Sequence, residues 1–404
     1  MWEQIRSNHI RSVVLVILMG VLLVLLGASL GAYFFDSTAA GVLIALIIWG
    51  LMNLIAFAQG DSLVLAMAGA KKIEKSDHPR LYNVVEEMSI ASGLPKVPDI
   101  YIIDDPALNA FATGRDINHA AVAITSGLLS KLNRDELQGV IGHEIAHIKN
   151  RDVLLMVLLS ITLGAIVIIS YYATRMMFWS SMTGGRRRDR RGGGGGAEAI
   201  FLILGILLAI LAPIFAQLIY FALSRRREYL SDASSALYTR YPEGLASALE
   251  KLATSNTHVA TANKATAPMY IADPFQKQAL SSEQLGSTHP PLADRIRILR
   301  AMGGASLADY SRAYGEAHKG SQILPQATIV GAGTVEIREA SQAKLDEGMK
   351  LTQSRETGDL MWRMSNYKVI DCQCGTRLRL PPGFRGQAVR CPHCGRVHAV
   401  TEAH

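Results

Sequence analysis

Residues 140–152 read VIGHEIAHIKNRD, and the stretch after them, 153–174, is almost entirely apolar. On a helix, positions i and i+4 share a face one turn apart, so His143 and His147 can aim two imidazoles at one ion. Glu144, next to the first histidine, is placed as general base on zinc-bound water. Val140, Ile141, Ile145 and Ile148 make the segment apolar around the pair, which argues against two histidines in a solvated stripe. The run LNRDELQGVIGHEIAHIKN therefore predicts a metal-site helix, N-capped by Asn133 and with Asp135 and Glu136 in its first turn. Lys149, Asn150, Arg151 and Asp152 then mark a membrane interface into which this helix runs.

Two histidines and a water leave one protein ligand to be found. The sequence has no HExxHxxGxxH, so a third histidine on a continuing loop is excluded. Glu228 and Asp232, at i and i+4 within SRRREYLSDASSA, lie on a second predicted helix that returns from an apolar block. Glu228 can complete a His₂Glu set, and Asp232 can hydrogen-bond a ligand imidazole. A solvated Glu228 paired with Arg225 to Arg227 is the alternative, and spacing alone leaves the choice open.

Apolar residues make up 49% of the 404 and concentrate in four blocks, 12–35, 39–58, 153–174 and 199–223. Each is long enough to cross a hydrocarbon core, which takes about 20 residues. A cleaved signal peptide does not fit the first block: it is too long, and a second apolar block follows directly. Arg6 and Arg11 precede the first span, and Lys71, Lys72 and Lys75 follow the second. The positive-inside rule thus predicts a multi-pass protein of the cell (inner) membrane with residues 60–152, and everything after 224, in the cytoplasm. GGRRRDRRGGGGG at 184–196 would then face outward, either an exception to the rule or a sign of a shallow second hairpin. The net charge of +7 comes mostly from this stretch and Arg225 to Arg227. Basic residues beside apolar spans favour lipid headgroups over nucleic acid as the partner.

The expected architecture is a mainly α membrane protein. Four transmembrane helices accompany a cytoplasmic α+β zincin-like metalloprotease domain with a small sheet, and a small zinc ribbon follows. A transmembrane hairpin (1–59) leads to the first part of the protease domain (60–152). There DHPRLYNVVEEMSIASG reads as a helix ending at Gly93, and PDIYIIDD, NAFATGR and HAAVAITSGLL read as strands. A second hairpin (153–223) is followed by the rest of the domain (224–302), with a helix from Pro242, a long loop over 255–288 and a basic helix in PPLADRIRILRAM. Residues 303–367 read as linker with a helix near 337–351, and 368–404 as a separate unit.

NAFATGR, HEIAH with an apolar span behind it, REYLSDASS and STHPPLADRI, in this order, resemble the HtpX-type membrane zinc metalloproteases. These are relatives of the CAAX prenyl endopeptidases, and the resemblance covers about residues 1–300. It implies Glu228 as the third zinc ligand, with Asp232 the Asp of an ExxxD motif. It also implies His289 and Arg295 near the scissile carbonyl, where an imidazole N–H and a guanidinium can stabilise an oxyanion. From the residues alone, His289 reads as a cap or packing histidine before Pro290. Asn109, Ala110, Phe111 and Ala112 become, by the same resemblance, an edge strand that binds substrate backbone by β-augmentation.

The tail departs from that family. All four cysteines lie there, Cys372 and Cys374 as CxCG, Cys391 and Cys394 as CPxCG, with His393 read as a surface residue of the second knuckle. So short a unit can hardly bury a core, and a cytoplasmic tail keeps its thiols reduced, so a second, structural zinc is favoured over disulfides. The function expected is zinc endopeptidase action on membrane or membrane-proximal polypeptides, which the resemblance extends to membrane protein quality control. Alternatives are a processing protease for specific or lipidated tails, and a non-catalytic membrane adaptor whose ribbon binds a protein partner or nucleic acid. Glu144 weighs against the adaptor, because a binding module has no use for it.

Overall fold

Apolar runs without charges leave the backbone to satisfy its own hydrogen bonds, and here they become long helices. The computed structural model describes residues 2–182, 195–262, 267–274, 289–324, 335–341 and 346–400. Helices α1 (Trp2–Phe35) and α2 (Thr38–Met67) form a hairpin turned at Asp36 and capped by Ser37, whose hydroxyl accepts from the Ala40 amide. Gly27, Gly31 and Gly41 let the two backbones touch: a Cβ on Gly41 would overlap the Gly27 carbonyl.

Strand β1 (Lys71–Ile73) and helix α3 (Pro79–Ser92) come next, the helix closed by Gly93 at φ 71°. Strands β2 (Asp99–Ile103), β3 (Ala110–Gly114) and β4 (Ala120–Thr125) complete a sheet of order β1-β2-β4-β3. The β2–β4 pair is parallel and the other pairings are antiparallel, so β3 is an edge. A short helix, α4 (Ser126–Lys131), leads to α5 (Arg134–Lys149), whose start is the expected one: Asn133 and Glu136 form a reciprocal capping box.

Helix α5 does not run on into the membrane span. It stops at Asn150, Arg151 takes φ 58°, and a new helix, α6 (Asp152–Met182), begins. Helix α7 (Gly195–Thr239) is 45 residues long, apolar at first and polar at its end, and it carries Glu228 and Asp232 straight out of its apolar half. Most of the Arg- and Gly-rich stretch 184–196, and much of the expected loop 255–288, lie outside the described residues. Among the described residues, α1, α2, α6 and α7 are long and apolar enough to cross a membrane.

Helices α8 (Pro242–Ala253), α9 (Leu292–Arg300) and α10 (Leu307–Ala317) finish the domain. The core joins Leu137, Val140 and Ile141 of α5 to Leu245 and Leu249 of α8 and to the sheet face of Ile100, Val122 and Ile124. Part of the expected linker belongs to this core, because Tyr310 and Ala313 of α10 are buried in it. Residues 335–341 lie on the domain surface without helix, and the helix expected near 337–351 is instead α11 (Glu347–Met364). The tail folds as two hairpins, β5 (Lys368–Asp371) with β6 (Arg377–Leu380), and β7 (Ala388–Arg390) with β8 (Val397–Ala399).

Candidate active site and metal centres

The one-turn spacing of α5 brings His143 Nε2 to 3.2 Å from His147 Nε2. Glu228 arrives from α7, its Oε2 3.4 Å from His143 Nε2 and its Oε1 3.3 Å from His147 Nε2. Donors on a tetrahedral zinc at about 2.0–2.1 Å lie about 3.3–3.4 Å apart, so three donors at these separations suit one such ion. The structure thus brings together the three residues expected to bind metal.

Each ring is held from behind. Asp232 Oδ1 lies 2.9 Å from His143 Nδ1, a contact that would keep a proton on Nδ1 and leave Nε2 as the ligating atom when a metal is bound. His147 Nδ1 is met by Ser231 Oγ at 3.1 Å and by Asp152 Oδ2 at 3.3 Å. Arg227 holds Asp152 in turn, donating to its carbonyl at 2.9 Å. Asp152 is buried at the start of α6, where the break at Arg151 folds it back onto His147. Ser231, Asp152 and Arg227 escaped the sequence reading. The available signal was an acidic residue directly after the helix end, and a serine one turn from Glu228 on the same helix face.

Burial alone would lower the proton affinity of both histidines, but the carboxylates reverse this. Asp232 and Glu228 raise His143, and Asp152 and Glu228 raise His147 to about 10. The same excess of negative charge favours a bound cation. Glu144 is 1% exposed, and neither of its carboxylate oxygens has a hydrogen-bond partner among the described residues. Burial raises its pKa against the pull of His143 and His147. It lines a cavity together with His147, Glu228 and Ala112.

Arg295 and His289 are both buried at this centre. The Arg295 guanidinium is already engaged: it donates to both oxygens of Asp232 and to the Ile271 carbonyl, and it lies 3.2 Å from Glu228 Oε2. His289 is kept neutral by burial, with the Arg295 charge acting in the same direction against the Glu228 carboxylate.

Strand β3 is the edge that the sequence suggested, but its first half is occupied by the chain itself. Ile271 N–H donates to the Ala110 carbonyl at 2.9 Å, Tyr270 pairs with Phe111, and the Asn109 amide donates to the Ala272 carbonyl at 2.9 Å. Of the four residues expected to meet substrate, Ala112 alone lines the cavity.

In the tail, Cys372 Sγ lies 3.4 Å from Cys394 Sγ, and Cys374 Sγ lies 3.7 Å from Cys391 Sγ. All four cysteines are free thiols, and their sulfurs lie within 4.8 Å of one another. Each pair sits on a tight turn closed by a glycine at positive φ, Gly375 at 83° and Gly395 at 74°. The Thr376 hydroxyl pulls Cys374 down to about 5. The four sulfurs share one small space, as a tetrahedral zinc would require.

Residues 75–303 match the family described as "Peptidase family M48". "Protease HtpX homolog" of Dictyoglomus turgidum is 44% identical over 302 residues, 75% of this chain and 95% of that one. The protein of the same name from Streptococcus mutans is 45% identical over 299 residues, 74% and 99%. Among solved structures, "Crystal Structure of S. mikatae Ste24p" aligns over 72% of this chain and 64% of that one at 19% identity, with a TM-score of 0.37. The matched region ends at α9, so the tail lies beyond it. With three converging residues that could hold a metal, a buried glutamate beside them and, among the described residues, four helices apolar enough to cross a membrane, the chain belongs to peptidase family M48, as a membrane metalloprotease of the HtpX type.

Proposed function

We propose that this metalloprotease is a zinc endopeptidase that cuts polypeptides in or beside the bilayer, with Glu144 as its general base. The carrying observation is the buried, unpartnered Glu144 carboxylate facing a cavity beside three converging donors. His143, His147 and Glu228 would hold the ion. When bound, it supplies Lewis acidity toward the scissile carbonyl and the attacking water. Glu144 takes the proton from that water and delivers it to the leaving amine, a shuttle suited to a carboxylate whose proton affinity is raised. Asp232 fixes the His143 tautomer, and Asp152 with Ser231 orients His147.

His289, buried and neutral, is assigned as a donor toward the carbonyl oxygen as it gains charge. The engaged guanidinium of Arg295 leads us to assign it a positioning role instead, since it neutralises Asp232 and steadies Glu228. Substrate backbone would add to β3 beyond Phe111, at Ala112 to Gly114. The reading places the domain and tail on the cytoplasmic side and assigns the tail a structural zinc and a protein partner. Damaged membrane proteins are the proposed substrates.

The test is the Glu144→Gln protein, checked to retain its metal and incubated with an unfolded membrane protein. Cleavage at the wild-type rate rejects the assignment. Peptides trapped by the same variant separate broad quality control, which gives many unrelated membrane segments, from processing of one lipidated tail.

A further inference from the structure

The β7–β8 hairpin of the tail has an inner and an outer face. Val389 packs inward with Cys372, Leu378 and Cys391, and the alternate positions point outward. Register sets Arg390 opposite Val397 and Ala388 opposite Ala399, and all four are exposed. Val397 is 56% exposed; Phe384, just before β7, is 40% exposed, with its ring against Gly386. The solvent face of an antiparallel pair is ordinarily polar, yet of these four paired residues only Arg390 is charged. An exposed apolar face of this kind marks an interaction surface.

Charge then selects the partner. Residues 368–404 hold six Lys and Arg against two Asp and Glu. Three of the guanidiniums are engaged: Arg377 with Asp359 and Asp371, Arg379 with Asp359 and the face of Trp362, and Arg396 with Gln373. Arg385 and Arg390 are exposed and have no such partner among the described residues. Two free guanidiniums fall well short of a nucleic-acid track, which takes on the order of 6–10 phosphate contacts, but they match a pair of carboxylates. The tail is also carried at the far end of the metal-site helix. Gln353 of α11 donates to the Leu129 carbonyl at 2.8 Å, beside the start of α5. Helix α6 leaves for the membrane from the other end of α5, about 24 Å along it, which favours a polypeptide over the bilayer surface as the occupant.

We propose that the outer β7–β8 face, with Phe384 beside it, docks an acidic polypeptide segment that carries apolar anchors. Arg385 and Arg390 pair with its carboxylates, and Phe384 and Val397 receive its aliphatic side chains. This deepens the reading of the tail as a metal-stapled unit with a protein partner and rests on it. The tail then captures polypeptide while the metal site, on another element, cuts it.

The experiment uses the full-length, zinc-loaded protein in phosphatidylcholine nanodiscs, carrying Glu144→Gln so that probes stay whole. Three fluorescent probes are compared by anisotropy: a peptide alternating Glu with Leu, the same peptide with Lys for Glu, and oligo(U) RNA. The Glu–Leu peptide is expected to bind about tenfold tighter than either, and to protect amides within 384–399 from hydrogen exchange. Arg390→Glu and Phe384→Ala should each weaken its binding about tenfold with two zinc ions retained. Two zinc ions with no preference for the Glu–Leu peptide overturn the proposal, as does tighter binding of the RNA, or full affinity in both variants. Failure of the underlying reading looks different, since the protein would then hold a single zinc ion per chain.

Discussion

Arg295 grips Asp232 through two parallel hydrogen bonds, Nη2 to Oδ1 at 2.7 Å and Nε to Oδ2 at 2.8 Å, with both side chains fully buried. Asp232 in turn holds His143, so the pair connects α9 to the metal ligands through α7. A lysine cannot reproduce the fork. Arg295→Lys and Asp232→Asn should therefore each weaken metal binding about 10- to 100-fold, read by competition with a chelator. Arg295→Ala leaves a buried carboxylate without its partner and should cost about 3–5 kcal/mol of stability. If Arg295→Lys instead lowers kcat with metal affinity unchanged, the guanidinium acts on the substrate and the positioning role is wrong.

His147 is supported more loosely, by Ser231 at 3.1 Å and Asp152 at 3.3 Å. With two partners sharing one nitrogen, removal of either leaves the other. Ser231→Ala and Asp152→Asn should each weaken metal binding less than Asp232→Asn does, and the double variant should approach it. Equal losses in Ser231→Ala and Asp232→Asn would show that the two histidines are not held differently.

Much of this site is legible in the sequence because its geometry is local. The His143–His147 spacing, the Asn133 cap and the Gly93 stop each follow from one helix and its ends. Glu228 and Asp232 share a helix, so their mutual spacing could be read, although their meeting with α5 rests on packing across an apolar core. What escaped the sequence depends on chain direction after a break. Arg151 at positive φ turns Asp152 inward, and no periodicity announces that. The Tyr270 to Ala272 segment on the β3 edge is hidden for a related reason, because a short irregular stretch pairs through backbone that any sequence could supply.

Gly139 sits where α5 and α8 meet: a Cβ there would lie 2.5 Å from Leu245 N and 2.8 Å from Leu245 Cα. Helix propensity favours alanine over glycine by about 1 kcal/mol, whereas forcing two backbones apart costs about 1–3 kcal/mol. Backbone cannot rotate away as a side chain can, so the contact should dominate. Gly139→Ala is expected to lower the thermal midpoint, and a raised midpoint would mean that α8 shifts freely.

His78 caps α3 by accepting the Leu81 N–H at its Nδ1, 3.2 Å away, and burial, with help from the Arg80 charge, pulls its pKa down to about 4. The unfolded chain takes up this proton near pH 6.5, the folded chain only near pH 4. Stability from this group is therefore complete above about pH 6.5 and is lost as pH falls toward 4, by about 3 kcal/mol in all. Asn caps equally well and does not titrate. The gap in thermal midpoint between His78→Asn and wild type should grow in favour of the variant from pH 7 to pH 4.5. A gap independent of pH would exclude this titration.

Two separable parts follow α10, the stretch 335–341 and the cysteine-bearing tail. Arg338 donates to the buried Asp135 at 2.7 Å, to Gln138 at 2.8 Å and to the Thr239 carbonyl at 2.8 Å, so it is built into the first turn of the metal-site helix. The cysteine cluster lies beyond α11 and touches none of the catalytic ligands. Removing residues 368–404 should thus spare peptide hydrolysis and remove one of two zinc ions, and Cys391→Ser with Cys394→Ser should do the same. Arg338→Ala should keep both ions at pH 7 and lower stability by about 1–3 kcal/mol, because Asp135 loses a buried partner. Metal analysis of the intact protein decides the first part: a single zinc per chain would rule out the ribbon site. Loss of hydrolysis on truncation, with the remaining zinc still bound, would show instead that the tail takes part in catalysis.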